Sequence, residues 1–525
     1  MFPVLAFLVG LPVVAAIVIA LIPKSRSELL LPVAFGLSLL PLAVAGYMVW
    51  TFNTAGGFQW VESTIWLQQL RIGWTVGVDG ISLFLVALTA FLFPISILAS
   101  ANISDRLRGY LVSLFVLETG VLGVFIALDL VLFFVFFEIV LIPMFFMIGI
   151  WGSSNRRYAA IKFFVYTAFG SAFLLVSIIA LAVNAGPALQ TISFQWNELA
   201  QVPMTSTLQT WLFFGFAIAF AIKVPLFPLH TWLPDAHTEA PTAGSVLLAG
   251  VLLKMGTYGF IRFNLILFPE ATVKYGKWIA LLAVIGIVYA ALVATVQPDI
   301  KRLVAYSSVS HLGFIVLGIF ALTLTSVQGG IIQMVNHGLS TGALFLLIGM
   351  IYERTHTRKI ADYGGLASTM PIFSGFFLFA VFASVGLPGL NGFIGEFMVL
   401  IGSWQTFPVL TVVAASGVVL AAVYLLWAYE RVFTGPPGKA NKDLEDLNPR
   451  EIAILVPIAF LIVLLGVYPK PVLDRMENDV NAVISRIEQS TSYERPTFDL
   501  EGQLRISVPA EQGNNSSGES SEGSE

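Results

Sequence analysis

Long apolar runs, separated by short polar segments, alternate along the chain from residue 2 to residue 469. Each run is close to the length of about twenty residues that an α-helix needs to cross a bilayer. The pattern therefore predicts an all-α, polytopic membrane protein of about fourteen transmembrane helices. The predicted spans are 2–22, 30–50, 80–100, 109–128, 130–150, 159–183, 210–229, 243–262, 278–297, 303–322, 328–352, 372–402, 408–429 and 452–469.

The segments outside these spans are of several kinds. Residues 51–79 contain three tryptophans and predict a long interfacial loop, and residues 184–209 predict a second loop. Residues 471–490 alternate charged and apolar positions, which predicts an amphipathic helix along the membrane surface. Residues 508–525 are rich in Ser, Gly, Glu and Asn and predict a disordered tail. The first apolar run follows no basic residue, so it is interpreted as a retained span and not as a signal peptide.

The composition agrees with a membrane protein and excludes several kinds of chemistry. The chain is 57% hydrophobic and 11% charged, whereas about a quarter of the residues of a soluble domain are charged. Without cysteine, the chain has no disulfides, thiolate metal sites or iron–sulfur clusters. No phosphate-binding glycine motif is present, and the spacing His230–Asp235–His237 lacks a fourth metal ligand. We therefore expect no cofactor, metal or nucleic acid to bind this chain.

The basic residues predict the orientation of the chain. The short loops on one side hold fifteen of the 27 lysines and arginines, and the opposite short loops hold only Arg71, Arg262, Lys274 and Lys277. The richer side should be cytoplasmic, which places both termini outside. The fifteen are Lys24, Arg26, Arg106, Arg108, Arg156, Arg157, Lys301, Arg302, Arg354, Arg358, Lys359, Arg431, Lys439, Lys442 and Arg450.

Three lysines remain inside the predicted spans, and two of them flank a proline-rich segment. Lys223 and Lys254 bound the stretch KVPLFPLHTWLPDAHTEAPTAGSVLLAGVLLK, whose four prolines break the helix. A lysine inside a membrane usually marks an ion or proton path, so both are predicted proton carriers. The alternatives are a structural role for Lys254 and snorkelling to the interface for Lys223. Lys162 is six residues from Arg156, and snorkelling is the favoured interpretation there.

Two carboxylates complete the predicted path. Glu138 lies within LFFVFFEIVLIPMFF, where it would stay charged if it were paired with Lys223 or Lys254. The alternative is a purely structural ion pair. Glu396 lies near the end of GLPGLNGFIGEF (386–397), whose glycines and proline predict a second broken helix. Paired broken helices are typical of transporters with internal repeats.

The two broken helices predict five-helix repeats at 109–262 and 278–429, and an odd number of spans per repeat makes them inverted. The remaining parts are the N-terminal helices in 1–108, a cytoplasmic loop with the last span in 430–470, and the tail in 471–525.

The histidines are candidates for passing protons between these groups, because histidine titrates near neutral pH. His311 and His337 are predicted in the middle of spans, and His230 lies at the break after Lys223. The alternative for His311 and His337 is a buried histidine that bonds a nearby carbonyl. His237 and His356 are predicted in loops.

Several stretches resemble one family of membrane subunits. They are FFEIVLIPMFFMIGIWG (136–152), FAIKVPLFPLHTWLPDAHTEAPTAGSVLLAGVLLKMGTYGF (220–260), DIKRLVAYSSVSHLGF (299–314), VNHGLSTGALFLLIGMIYERTHTRKIADYGGLA (335–367) and VGLPGLNGFIGEF (385–397). They are similar to the M-type, or chain-four, antiporter-like proton-pumping subunits of respiratory complex I, the NADH–quinone oxidoreductase. The resemblance covers about residues 75–435.

This resemblance implies a function and partners. It implies that Glu138, Lys223, Lys254 and Glu396 form the proton path, and that NADH, FMN, iron–sulfur clusters and quinone bind to partner subunits. The expected partners are other membrane subunits of the complex, including neighbouring antiporter-like subunits, and the lipid bilayer. A bacterial plasma membrane is expected, with a thylakoid membrane as the alternative. The alternative functions are a subunit of a multisubunit cation/proton antiporter and a structural subunit without conduction.

Overall fold

A computed structural model of the chain describes residues 3–438, 441–498 and 504–505. In this part of the chain, thirteen helices are long and apolar enough to span a membrane. The main helices are α1 (Val4–Leu21), α2 (Leu30–Thr51), α3 (Gly80–Leu98), α4 (Leu107–Ile126), α5 (Leu130–Trp151), α6 (Arg156–Leu189), α7 (Ser206–Lys223), α8 (Trp232–Glu239), α9 (Thr242–Leu265), α10 (Pro269–Thr295), α11 (Ile300–Phe320), α12 (Leu324–Thr355), α13 (Pro371–Val385), α14 (Asn391–Trp404), α15 (Pro408–Phe433), α16 (Pro449–Val467) and α17 (Lys470–Ser490).

Two of the predicted spans are interrupted. The span predicted at 372–402 consists of the two helices α13 and α14, separated by residues 386–390, and neither is among the thirteen candidate spans of the described residues. The span predicted at 210–229 contains α7, which ends at Lys223, and a turn that leads into α8. Both interruptions contain proline, which lacks a backbone N–H group, and the one at 386–390 also contains glycines, which adopt conformations outside a helix.

Helices α9, α11 and α12 form the centre of the fold, because almost their whole apolar length is buried by other helices. Helix α12 packs against α11 and α14, and α11 packs against α10. The helices around this centre expose apolar side chains on one side, as lipid-facing helices do. Polar side chains on the three central helices are therefore shielded from lipid.

Acceptor side chains cap the first turns of several spans. Asp79, Asp129, Asp299, Thr323 and Asn448 each accept hydrogen bonds from backbone N–H groups at the start of the helix that follows. Such caps satisfy donors that a helix start leaves unpaired. They fix where α3, α5, α11, α12 and α16 begin.

The loops define two opposite faces of the molecule. The hairpin face carries an antiparallel β-hairpin of β1 (Gln59–Leu67) and β2 (Ile72–Val78), together with α17. The basic face carries the loops at 152–155, 296–299 and 356–370. The sequence predicted a long loop at 51–79, and the structure places two paired strands within it. A second pair of short strands, Thr497–Phe498 and Leu504–Arg505, follows α17.

A buried ionic cluster connects the elements of the hairpin face. Arg262 pairs with Asp79 at 2.6 Å, although the sequence placed Arg262 in an exposed short loop. Asp479 of α17 accepts hydrogen bonds from Gly57 N and Gly80 N at 2.5 and 2.7 Å. Burial and the nearby Asp79 carboxylate raise the pKa of Asp479 above its usual value. The cluster therefore connects α9, the start of α3 and α17.

Helix α17 lies against the hairpin face through one apolar side. Its buried residues include Val472, Met476, Val480, Val483 and Ile487, spaced by three or four positions. This spacing forms one stripe along a helix, and the charged residues other than Asp479 are at least partly exposed. The predicted disordered segment 508–525 lies outside the described residues.

Candidate functional site

Four ionisable side chains of the three central helices and of α14 form two hydrogen-bonded pairs. Lys254 Nζ lies 2.7 Å from His337 Nδ1, which joins α9 to α12. His311 Nδ1 lies 2.7 Å from Glu396 Oε1, which joins α11 to α14. The rings of His311 and His337 have their centroids 5.9 Å apart, so the two pairs are neighbours. All four residues are buried. The structure thus brings four sequence-predicted residues into one row.

Lys254 is held by an irregular helix. Helix α9 contains two π-helical turns, at Leu248–Leu252 and Phe260–Leu265, on either side of Lys254. Such turns are uncommon and are often found at functional sites. The lysine ammonium also donates to the Ala249 carbonyl in the first wide turn. The Ala249 carbonyl is therefore a second hydrogen-bond partner of the Lys254 ammonium, besides His337.

Glu396 lies just after the break between α13 and α14. Gly386 and Gly389 at this break have φ angles of 82° and 92°, which glycine adopts without steric cost. Asn336 of α12 and Asn391 of α14 exchange hydrogen bonds with each other's carbonyls at 2.7 and 3.2 Å. This exchange fixes the start of α14 against α12, one residue from His337.

The amides of α12 are site residues that the sequence analysis missed. Besides Asn336, Gln333 donates from Nε2 to Glu396 Oε1 at 3.1 Å. Gln333, Asn336 and His337 have spacings of three and four, so they lie on one side of α12. This polar stripe inside an apolar run was the signal that could have identified them.

Lys223 lies at the other break, where α7 ends. Trp232 Nε1 donates to the Ile222 carbonyl at 2.9 Å and so satisfies an acceptor close to the end of the helix. The Lys223 ammonium lies 4.8 Å from the centre of the Phe137 ring and makes no hydrogen bond to another described residue. Protein hydrogen bonds therefore do not connect Lys223 to Lys254 in this structure.

Glu138 lies near Lys223 on α5. The two charges interact electrostatically, but they do not form a direct ion pair within 4.0 Å in the described structure. Glu138 is only partly buried, whereas Lys223 is 2% exposed. The predicted pairing thus corresponds here to two neighbouring but separated groups.

The remaining histidines and Lys162 lie towards the basic face. His230 is buried at the break, stacked on Phe227 with ring centroids 5.7 Å apart. His237 is not a loop residue as predicted, because it lies in α8, fully buried and stacked on Phe345. Lys162 Nζ pairs with Asp235 at 2.7 Å.

A polar cavity of about 190 Å³ opens on the basic face. Its lining includes Glu239, Lys301 and Arg358. Lys301 was predicted in an exposed loop, but it is buried and donates to the Ala240 carbonyl at 2.5 Å. His237 interacts electrostatically with both Lys301 and Lys254. In the described residues, no cluster of three or more His, Asp or Glu is arranged to hold a metal ion.

Comparisons with known proteins give one consistent result. The family described as NADH:quinone oxidoreductase/Mrp antiporter, TM, matches residues 127–422. The chain is 44% identical to NADH-quinone oxidoreductase subunit M of Rhodobacter capsulatus, over 90% of this chain and 94% of that protein. It is 42% identical to NADH-ubiquinone oxidoreductase chain 4 of Marchantia polymorpha, over 91% and 97% of the two chains. A chain of respiratory complex I from Thermus thermophilus has a TM-score of 0.83 and 32% identity, covering 92% of this chain and 99% of that one.

Proposed function

The chain belongs to the NADH:quinone oxidoreductase/Mrp antiporter family of membrane proteins, and from this premise we propose that it moves protons through the row Lys254–His337–His311–Glu396. It is an antiporter-like membrane subunit of NADH–quinone oxidoreductase, and its partners are other membrane subunits of that complex. NADH, FMN, iron–sulfur clusters and quinone belong to partner subunits in this proposal. The observation that carries the proton path is the pair of 2.7 Å contacts whose histidine rings are 5.9 Å apart.

The proposed direction of transport follows from the charges of the loops. Because basic residues concentrate on the basic face, this face is cytoplasmic and the hairpin face lies outside a bacterial plasma membrane. Protons enter from the basic face, reach Lys223 and then Lys254, and leave to the outside beyond Glu396. The polar cavity lined by Glu239 and Lys301 provides a second site of proton uptake.

The proposed switch is the distance between Glu138 and Lys223. A carboxylate close to an ammonium group stabilises the charged form of the lysine. Separating the two groups removes this stabilisation. A shift of one pKa unit corresponds to about 1.4 kcal/mol, so a small movement of this pair is enough to change proton affinity. The separated arrangement of the structure is one of the two states that such a switch needs. The two five-helix repeats at 109–262 and 278–429 remain part of this proposal, with one broken helix in each.

The antiporter alternative predicts a different activity. A subunit of a multisubunit cation/proton antiporter would exchange sodium or potassium for protons without any redox partner. A purely structural subunit would tolerate the loss of Lys254. The high coverage and identity with subunit M favour the redox-coupled function.

The test uses Lys254→Ala and Glu138→Gln in the assembled complex, with Lys277→Ala as the matched control because Lys277 is an exposed lysine of α10 outside the proposed path. We expect intact assembly, slower electron transfer and a loss of proton pumping of about tenfold or more in the two site variants, as loss of a positioned proton carrier commonly costs. Proton uptake by inverted membrane vesicles on addition of NADH measures pumping. Unchanged pumping in both site variants rejects the proton path. Sodium- or potassium-dependent exchange without NADH favours the antiporter.

A further inference from the structure

An apolar groove of about 370 Å³ lies between transmembrane helices. Helices α2, α3, α12 and α16 form its walls, and the start of α17 forms one end. Leu42, Phe84, Phe91 and Leu461 are among the side chains that line it. No charged side chain lines this groove, so its surface suits a hydrocarbon and not water.

The dimensions of the groove fit a single lipid chain. It begins at the hairpin face, where Tyr468 and Pro471 line it, and continues to Phe91 of α3. Since α3 starts at Gly80, Phe91 lies about 16 Å deeper along the helix, which is about half of the 30 Å hydrocarbon thickness. This is the depth of one leaflet.

Charged groups lie at the open end of the groove. Arg475 donates from Nη1 to the carbonyl of the groove-lining Pro471 at 2.8 Å, and its buried Nε has no hydrogen-bond partner in the described structure. Lys470 lies one residue before Pro471 and is exposed, although Asp474 neutralises part of its charge. Basic residues at the membrane boundary attract anionic headgroups. We propose that the groove binds one acyl chain of an anionic phospholipid, whose phosphate lies beside Arg475 and Lys470.

The floor of the groove links this lipid to the central helices. Val335 and Leu339 of α12 line the groove and are four residues apart, so they lie on the same side of the helix. His337 is two residues from each of them and therefore points to the opposite side. The lipid chain thus packs against the back of the helical turn that holds His337. The lipid site itself does not depend on the proposed proton path.

The test uses phosphatidylglycerol with a photoactivatable group at the end of one acyl chain, added to the assembled complex. We expect labelled peptides from residues 42–49, 84–91 and 461–468. Ala87→Trp places a large side chain in the groove and should reduce this labelling at least fivefold. Ala180→Trp, at a partly exposed alanine on α6 outside the groove, is the matched control and should leave the labelling unchanged.

A second arm tests the headgroup and does not depend on the folding of Ala87→Trp. Unlabelled phosphatidylglycerol should compete better than phosphatidylcholine, and Arg475→Gln should reduce this preference about fivefold, as expected for the loss of one basic residue near a headgroup. The proposal is wrong if the groove peptides of the wild-type complex stay unlabelled while other lipid-facing peptides react, because another protein then covers the groove. Equal competition by both lipids, or competition by quinone alone, also overturns it.

Discussion

His337 and His311 lie side by side, with ring centroids 5.9 Å apart, and each bonds a different ionisable partner. His337 contacts Lys254, and His311 contacts Glu396. Their second ring nitrogens, Nε2 in both cases, have no hydrogen-bond partner in the described structure. An imidazole can accept a proton on one nitrogen and release one from the other. The two rings therefore occupy the central step of the proposed path.

Replacing His337 by Asn should interrupt this step, because an amide retains hydrogen bonding but does not take up a proton near neutral pH. We expect NADH-driven proton pumping to fall by about tenfold or more, with normal assembly. His356→Asn is the matched control, since His356 is exposed beyond the end of α12 and its left-handed backbone suits Asn. Dye quenching in inverted vesicles gives the pumping rate. Equal rates in the two variants would show that His337 is a structural residue.

The sequence was sufficient to identify the ionisable residues of the central row, because charges and histidines inside apolar runs are rare. Lys254 and Glu396 could be selected for this reason, and proline and glycine near Lys223 and Glu396 indicated the two breaks. The family and the function as a membrane subunit were confirmed by the comparisons. The assignment of roles to these residues stays a prediction.

Pairing between distant parts of the chain could not be predicted in the same way. Arg262 follows an apolar run and has the sequence pattern of a loop residue, yet its partner Asp79 is 183 residues away. Gln333 and Asn336 carry no charge, so they did not stand out as Lys254 did. The hairpin at 59–78 was missed because its short strands lie between two membrane spans and carry tryptophans that also suit an interfacial loop.

Arg262→Ala should destabilise the hairpin face strongly. The change leaves the buried Asp79 without its cation and removes a guanidinium whose carbon lies 4.8 Å from the centre of the Phe58 ring. Breaking a buried ion pair costs about 3–5 kcal/mol. Arg71→Ala is the control, because its pair with Glu198 is partly exposed and should contribute about 0–1 kcal/mol. The measurement is the yield and the thermal dissociation temperature of the assembled complex, and similar values for both variants would contradict a stabilising role.

Asp235 should matter more than Lys162 at the basic face. The Asp235 carboxylate contacts Lys162 at 2.7 Å and Arg302 at 3.5 Å, so its loss leaves two neighbouring cations without this partner. Lys162→Ala removes one partly exposed contact and should cost about 1 kcal/mol or less, with pumping unchanged. Asp235→Ala should lower the thermal dissociation temperature further. If Lys162→Ala stops pumping in the assembled complex, then Lys162 is a proton carrier and not a snorkelling residue.

Gly338 provides a test of whether the contact between Lys254 and His337 depends on the close packing of α12. A Cβ atom at Gly338 would lie 2.7 Å from Leu88 Cδ2 and 2.9 Å from the Gly250 carbonyl oxygen, which is backbone and cannot turn aside. Gly338→Ala should therefore move α12 away from α9 at the turn that holds His337, at a cost of about 1–3 kcal/mol. Gly342→Ala is the matched control, because a Cβ atom there would approach only Val246 Cγ1, at 3.8 Å. We expect Gly338→Ala to reduce the number of protons pumped per NADH oxidised while the complex still assembles, and Gly342→Ala to pump normally. Neither substitution removes an ionisable group. If assembled Gly338→Ala complex pumps the normal number of protons per NADH, proton transfer tolerates a displaced α12. It then does not rely on the 2.7 Å contact between Lys254 and His337.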